Sequence, residues 1–280
     1  MLVARPQTID LHAHTRYSDG SLSVMELLHH AREHGVETIA ITDHDSLGAH
    51  YELASQSEDL PCHVITGLEI STQYLNREIH IVGLNLNIHE PGIVQFVAQQ
   101  QAYRQQRLLE FANRLEQLGM EGVVGEVEAL SAESVTRTHL AQIMVRRGWA
   151  KDANRAFKQY IGRKSKAYVK AKWPTIEQAV SAIRGAGGKA VLAHPGRYQL
   201  SRKQLALMLE DFAAAGGQAV ELAYPNMDPQ LARWMTEKAL NLALQGSQGA
   251  DFHNPEWRWV KPGFFADLPK SIVPVWQDFL

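Results

Sequence analysis

Seven short apolar segments, each bounded by Gly, Pro, Asp or Asn, recur along this 280-residue chain with helical patterns between them, and that alternation constrains its fold most. The segments lie at residues 8–12, 38–42, 63–66, 79–84, 190–193, 219–222 and 246–250. They read as buried strands. Val24, Leu27, Leu28 and Ala31 form one helical stripe closed by Gly35. Ile176, Ala179, Val180 and Ile183 form another, opened by Thr175 with Gln178 and closed by Gly187. Ser201 with Gln204 opens a third, which carries Leu205, Met208, Leu209 and Phe212 to Gly216. Strand alternating with helix predicts an α/β class with a parallel sheet.

The middle of the chain breaks the alternation. From about Pro91 a long helical pattern runs through Leu108, Phe111, Leu115 and Leu118 to Gly119, and no strand is expected again before Ala190. Residues 101–172 hold 14 Lys and Arg against 7 Asp and Glu, whereas the rest of the chain holds 14 against 23. Between Arg137 and Lys172 there are 11 basic residues facing only Asp152. A formal net charge of -2 gives no global reason for polyanion binding, so any basic surface is local. No Ser/Gly linker or repeat separates the middle from the rest, and residues 101–173 read as a basic helical insertion packed on a main domain of 1–100 and 174–280. Cys62 is the single cysteine, which excludes an intrachain disulfide scaffold. Residues 1–10 lack a charged-then-apolar signal pattern and no run of about 18 apolar residues occurs, so a cytoplasmic location is the expectation. Nothing in the pattern points to a membrane or an obligate protein partner.

Histidine, at 13 residues, is the compositional outlier. In Asp10-Leu-His12-Ala-His14 the alternation puts both imidazoles on one side of an extended strand, about 6–7 Å apart, close enough to share a metal site. Asp19, on the turn that follows, can fold back as a carboxylate ligand. His44 stands between two acids in Thr-Asp-His-Asp, and Glu69 lies in Gly-Leu-Glu-Ile-Ser; both are placed by this reading at the carboxyl ends of parallel strands, where barrel active sites assemble. His194 in Ala-His-Pro-Gly-Arg, and Asp251 and His253 in Gly-Ala-Asp-Phe-His, repeat that placement. His80 sits among apolar strand neighbours, a context that by itself favours an ordinary core histidine. Together these are nine candidate ligands, more than one four-coordinate site uses, so two or three metal ions are implied. Imidazole and carboxylate without thiolate suit Mn, Fe or Zn. Such a cluster holds a phosphoryl group and activates water, so phosphate-ester hydrolysis is the natural chemistry.

In order along the chain, these motifs with His-Pro-Gly-Arg-Tyr and the late Asp-Phe-His resemble the polymerase and histidinol phosphatase (PHP) family of metal-dependent phosphoesterases. The basic insertion, Val135-Thr-Arg-Thr-His-Leu140 and Gly246-Ser-Gln-Gly-Ala-Asp-Phe-His253 make the chain most similar to a branch of 5′-to-3′ exoribonucleases and 3′,5′-nucleotide bisphosphate phosphatases. The resemblance implies a distorted (β/α)7-type barrel with an inserted, mainly helical subdomain. It also implies a trinuclear site to which His12, His14, Asp19, His44, Glu69, His80, His194, Asp251 and His253 map as ligands, with Mn expected first and Zn or Fe as alternatives. Ala250 stands where close relatives tend to carry Ser, at a position that is not a ligand. The Pro-Glu-Trp-Arg-Trp segment after Asn254 lies outside the matching motifs.

The implied substrates are 5′-phosphorylated RNA and 3′,5′-bisphosphonucleotides, hydrolysed at the phosphorus on the 3′ oxygen to release nucleoside 5′-monophosphates. Arg137 and Arg197 are the expected grips on the terminal 5′-phosphate, with His139 joining them. Tyr160, Tyr168 and Trp173 are expected in the core before they are expected to stack bases. Two rivals stand beside this reading: a phosphatase of the same fold acting on another small phosphomonoester such as histidinol phosphate, and a non-catalytic metal-binding module.

Overall fold

The computed structural model describes residues 5–6, 8–56 and 59–280. Residues 1–4, part of the segment read for a signal pattern, lie outside them. A two-stranded ribbon pairs β1 (Arg5–Pro6) with β9 (Phe264–Phe265). The main sheet contains seven strands: β2 (Ile9–Ala13), β3 (Thr38–Ile41), β4 (His63–Tyr74), β5 (Arg77–Leu84), β6 (Lys189–Leu192), β7 (Ala219–Ala223) and β8 (Gln245–Gln248). They are hydrogen-bonded in that order. All seven segments expected as strands are strands.

The sheet is mixed, which corrects the expectation of an all-parallel one. β5 runs antiparallel to both β4 and β6, while the remaining neighbours are parallel. The cause is local. Leu75 and Asn76 turn with positive φ (46° and 60°), the two-residue geometry that folds twisted strands into a hairpin. No glycine marks that turn. A second correction concerns Glu69: β4 continues to Tyr74, so Glu69 lies inside a strand rather than at its end. It is nonetheless where pairing with β3 runs out, in a parallel bridge to His44.

The sheet curls until its edges meet. His14 N donates to Phe252 O and Asp251 N to His12 O, and the Gln248 amide reaches Ile9 O. Asp10, fully buried, accepts from the backbone nitrogens of His12, Ala250 and Gly263 and so pins both edges. Burial pushes its carboxyl up to about 6 despite those donors. Gly249 passes so close to β2 that a Cβ there would lie 2.4 Å from His12 Cβ, which is why the edges close on a glycine.

Helices α1 (Val24–Glu33), α2 (Gly48–Ala54), α7 (Ile176–Gly185), α8 (Arg202–Ala214) and α9 (Pro229–Asn241) cover the sheet. The expected stripes on α1, α7 and α8 are the buried ones, and the Thr175–Gln178 and Ser201–Gln204 capping boxes both form. No strand falls between Leu84 and Lys189 among the described residues. There α3 (Pro91–Gln117) leads into α4 (Val123–Glu128), α5 (Arg137–Arg146), α6 (Ala153–Ala156) and a π-turn over Phe157–Ile161. Ile93 and Val97 of α3 pack on the sheet's core, whereas Leu108, Phe111 and Leu115 belong to a separate core with Val127, Leu140, Met144 and Ile161. One continuous helix therefore ties the two together. No helix among the described residues is long and apolar enough to cross a membrane.

Candidate metal centre

All nine residues singled out from the sequence converge on one pocket. His12 and His14 leave β2 on the same side, their ring centroids 5.1 Å apart. Glu69 is the hub. Its Oε2 lies 3.3 Å from His12 Nε2, 3.4 Å from His14 Nε2 and 3.0 Å from His44 Nδ1. Its Oε1 lies 3.0 Å from both His80 Nδ1 and His194 Nε2. Asp251 Oδ1 sits 3.1 Å from His14 and 3.4 Å from His12. Asp19 Oδ1 sits 3.3 Å from His253 and 3.8 Å from His44. His80 is thus a member of the cluster, not a core histidine.

The backbone is bent to achieve this. His194 and Asp251 leave their strands with φ of 26° and 52°, values that non-glycine residues adopt at a cost. The turn that carries Asp19 is held by buried Asp43, whose carboxylate accepts from Thr15 N, Thr15 Oγ1 and Ser18 Oγ.

His12 Nε2, His44 Nδ1, His80 Nδ1, His194 Nδ1, Glu69 Oε2 and Asp19 Oδ1 are buried yet make no well-oriented hydrogen bond. Leaving so many polar atoms unsatisfied is costly, and cations between them remove the cost. Three overlapping groups have donor atoms within 4.8 Å of one another: His14, Asp19, His44 and His253; His12, His14, Glu69 and Asp251; and His44, Glu69 and His80. The residues present therefore fit divalent cations.

The electrostatics agree. Burial would raise the Glu69, Asp19 and Asp251 carboxyls, yet the surrounding imidazoles hold all three well below the usual carboxylate range, with Arg197 adding to the effect on Asp251. Burial pulls the His44 and His14 imidazoles below their ordinary value. His12 goes the other way: burial is overcome by Glu221, Glu69 and Asp251, which raise it well above 6.5.

Two cavities flank the cluster and share no lining residue. The first, about 150 Å³, opens on Asp19, His44 and His80 and is lined by Arg104, Arg107, Arg137, Glu78 and Trp173 among others. Arg104 is matched by buried Asp45 at 2.7 Å. Arg137 and Arg107 share Glu78, at 3.0 and 3.7 Å. Arg107 is buried with its Nε unpartnered. The second cavity opens on Asp251 and His253 and contains Arg197, which pairs with Asp251. The two arginines expected to grip one phosphate thus stand in separate cavities. His139 lines neither; its Nδ1 accepts from Thr136 N as part of the α5 capping box. Trp173 is buried between Arg104 and Arg107, while Tyr160 and Tyr168 pack on the helical core, as expected.

Sequence reasoning missed Glu221, Arg104, Arg107 and Glu78. Glu221 stands in the apolar strand β7, and a buried carboxylate in such a strand was the signal that could have found it.

The profile of the PHP domain matches residues 10–170. The 5′-3′ exoribonuclease Rnm of Escherichia coli is 42% identical over 274 residues, 96% of this chain and 92% of that one. A 3′,5′-nucleoside bisphosphate phosphatase of Chromobacterium violaceum is 33% identical over 272 residues, covering 96% of this chain and 95% of its own. Among solved structures, an amidohydrolase from Chromobacterium violaceum with bound sulfate superposes with a TM-score of 0.88 at 33% identity, covering 97% of this chain and 95% of that one. Sequence profile, full-length relatives and fold agree, and the chain belongs to the PHP domain family.

Proposed function

We propose that the protein is a metal-dependent phosphoesterase that hydrolyses the 3′-side ester of 5′-phosphorylated nucleotides. It acts as a 5′-to-3′ exoribonuclease releasing nucleoside 5′-monophosphates and as a 3′,5′-nucleotide bisphosphate phosphatase. The observation that carries the reading is the arginine-lined cavity beside the histidine and carboxylate cluster, because two guanidiniums sharing one carboxylate leave room for a further anion. The names of the full-length relatives support the same activities.

His12, His14, Asp19, His44, Glu69, His80, His194, Asp251 and His253 would hold the cations. The three overlapping donor groups favour three ions, with Mn first and Zn or Fe as alternatives. Bound there, divalent cations supply Lewis-acid polarisation of the phosphoryl group and a water acidified toward neutrality. Arg137 and Arg107 grip the 5′-phosphate, and Glu78 holds their side chains in place while the cavity is free. Residues 101–173, read as the insertion, contribute both arginines. The phosphorus on the 3′ oxygen then lies at the cluster, which sets the 5′-to-3′ polarity. Arg197, on the other side, holds Asp251 and faces the portion of the substrate that keeps the scissile phosphate. RNA and nucleotides as substrates make the cytoplasm the site of action.

The test is an assay of the Mn-reconstituted protein on a 3′,5′-bisphosphonucleotide, a 5′-phosphorylated oligoribonucleotide, its 5′-hydroxyl counterpart and histidinol phosphate. Hydrolysis of the first two with the third poorly used is expected. Equal use of both oligoribonucleotides would remove the 5′-phosphate pocket, and preference for histidinol phosphate would replace the reading.

A further inference from the structure

We propose that Trp259, with Arg197 beside it, forms a platform that carries the RNA strand on the 3′ side of the scissile phosphate, the strand that keeps this phosphate after cleavage; the proposal rests on the nuclease reading above. The second cavity, of about 370 Å³, is lined by Arg197, Tyr224, Asp251, His253, Trp257 and Trp259. Its wall is continuous with the cluster: the Trp257 ring stacks on His253 with centroids 5.7 Å apart and planes 29° from parallel. Two residues further on, Trp259 is 67% exposed, more than any other large hydrophobic side chain among the described residues. An indole left in water on the wall of a cavity beside the cluster is poorly explained by folding and well explained by a stacking partner.

Geometry selects which part of a substrate goes there. A substrate with its 5′-phosphate among Arg107 and Arg137 reaches the cluster from the side of Asp19, His44 and His80. The chain beyond the scissile phosphorus leaves past Asp251 and His253, into the cavity with no residue in common with the first. A bisphosphonucleotide ends at that phosphate and never reaches Trp259; an oligoribonucleotide must cross it. Cations stand where a polyanion would pass: the Arg197 guanidinium lies 5.4 Å from the Tyr224 ring centroid, and Arg258 and Lys261 are exposed beside Trp259, against the carboxylates of Asp228 in the lining and exposed Glu256. Base stacking on an aromatic ring tolerates any sequence, as an exoribonuclease that shortens a chain of mixed sequence requires.

The experiment compares wild type, Trp259→Ala and Trp259→Phe, each reconstituted with Mn, on a 3′,5′-bisphosphonucleotide and a 5′-phosphorylated oligoribonucleotide of six nucleotides. The ratio of kcat/KM on the oligomer to that on the bisphosphonucleotide should fall about tenfold in Trp259→Ala, mostly through KM, and recover in Trp259→Phe. An unchanged ratio in Trp259→Ala, or a Phe variant no better than Ala, overturns the platform alone. A wild-type protein that hydrolyses the bisphosphonucleotide but no oligomer fails the nuclease reading and takes the platform with it.

Discussion

Glu221 holds the His12 ring from behind: its Oε1 lies 2.6 Å from His12 Nδ1 while its Oε2 accepts from the His194 backbone nitrogen, also at 2.6 Å. With Nδ1–H engaged, His12 turns a free Nε2 toward Glu69 and Asp251. One buried carboxylate thus orients two members of the cluster without belonging to it. Glu221→Gln keeps the volume but sets an amide N–H against one of the two donors. Metal affinity should fall about 10–100-fold, read by competition with a chelator, with the circular dichroism spectrum unchanged. Unaltered affinity would deny Glu221 its orienting role.

Glu69 has a different consequence, because its two oxygens face five imidazoles. Glu69→Ala should lower the number of ions bound per chain and reduce kcat/KM at least about a thousandfold, equivalent to about 4 kcal/mol of barrier. Elemental analysis of the purified variant and a phosphate-release assay check both parts. Full metal content with near-normal turnover would remove Glu69 from the centre.

The contrast between Glu69 and Glu221 shows what sequence makes legible. Glu69, His44, His194 and Asp251 interrupt or end apolar runs with polar side chains that burial alone does not predict, so each is visible locally. Glu221 interrupts its run too, but its meaning depends on His12, 209 positions away. The same holds for Arg104, whose partner Asp45 lies 59 positions away in the loop after β3. Helix stripes and caps were readable because their determinants lie within four residues. The antiparallel course of β5 was not, since a Leu75–Asn76 turn carries no Gly signal. The separation of Arg137 from Arg197 is a property of the closed sheet and has no trace in spacing.

The metal-free protein should respond to pH in a way the loaded protein does not. Burial lowers the His80 and His253 imidazoles, but Glu69 and Glu78 raise His80 to about 10, and Asp19 and Asp251 raise His253 to about 9. Both folded values lie above the ordinary 6.5. Folded protein therefore keeps protons that the unfolded chain gives up, and the stability this contributes is complete below pH 6.5 and lost as pH rises through about 9 and about 10. Cations displace the same protons, so their affinity rises with pH over that range. The Tm of chelator-treated protein should decline between pH 6.5 and 10, and calorimetry in buffers of different ionisation enthalpy should record proton release on Mn binding. A Tm that climbs over that interval, or no proton release, contradicts this.

Arg137 tests the 5′-phosphate pocket directly. Its Nη2 donates to Glu78 at 3.0 Å, and truncation leaves that carboxylate facing the incoming phosphate. Arg137→Ala should raise KM for 5′-phosphorylated RNA about 10–100-fold, the worth of a charge-assisted hydrogen bond, and leave a simple aryl phosphate nearly unaffected. Equal losses on the two substrates would mean that Arg137 supports the cluster instead of the phosphate.

Arg104 lines the same cavity, yet its effect should be structural. Its Nε donates to Asp45 at 2.7 Å, its Nη2 to Ser71 Oγ at 2.7 Å and its Nη1 to Val135 O, so one buried guanidinium joins β4, the loop after β3 and the segment before α5. Burial already raises the Asp45 carboxyl even with Arg104 beside it. Arg104→Met strands that carboxylate in the interior and should cost about 3–5 kcal/mol in urea unfolding. Pairing it with Asp45→Asn removes the uncompensated charge, so the double variant should recover a large part of the loss. A double variant as unstable as Arg104→Met would show that the guanidinium matters for its contacts with Ser71, Val135 and Trp173 rather than for its charge.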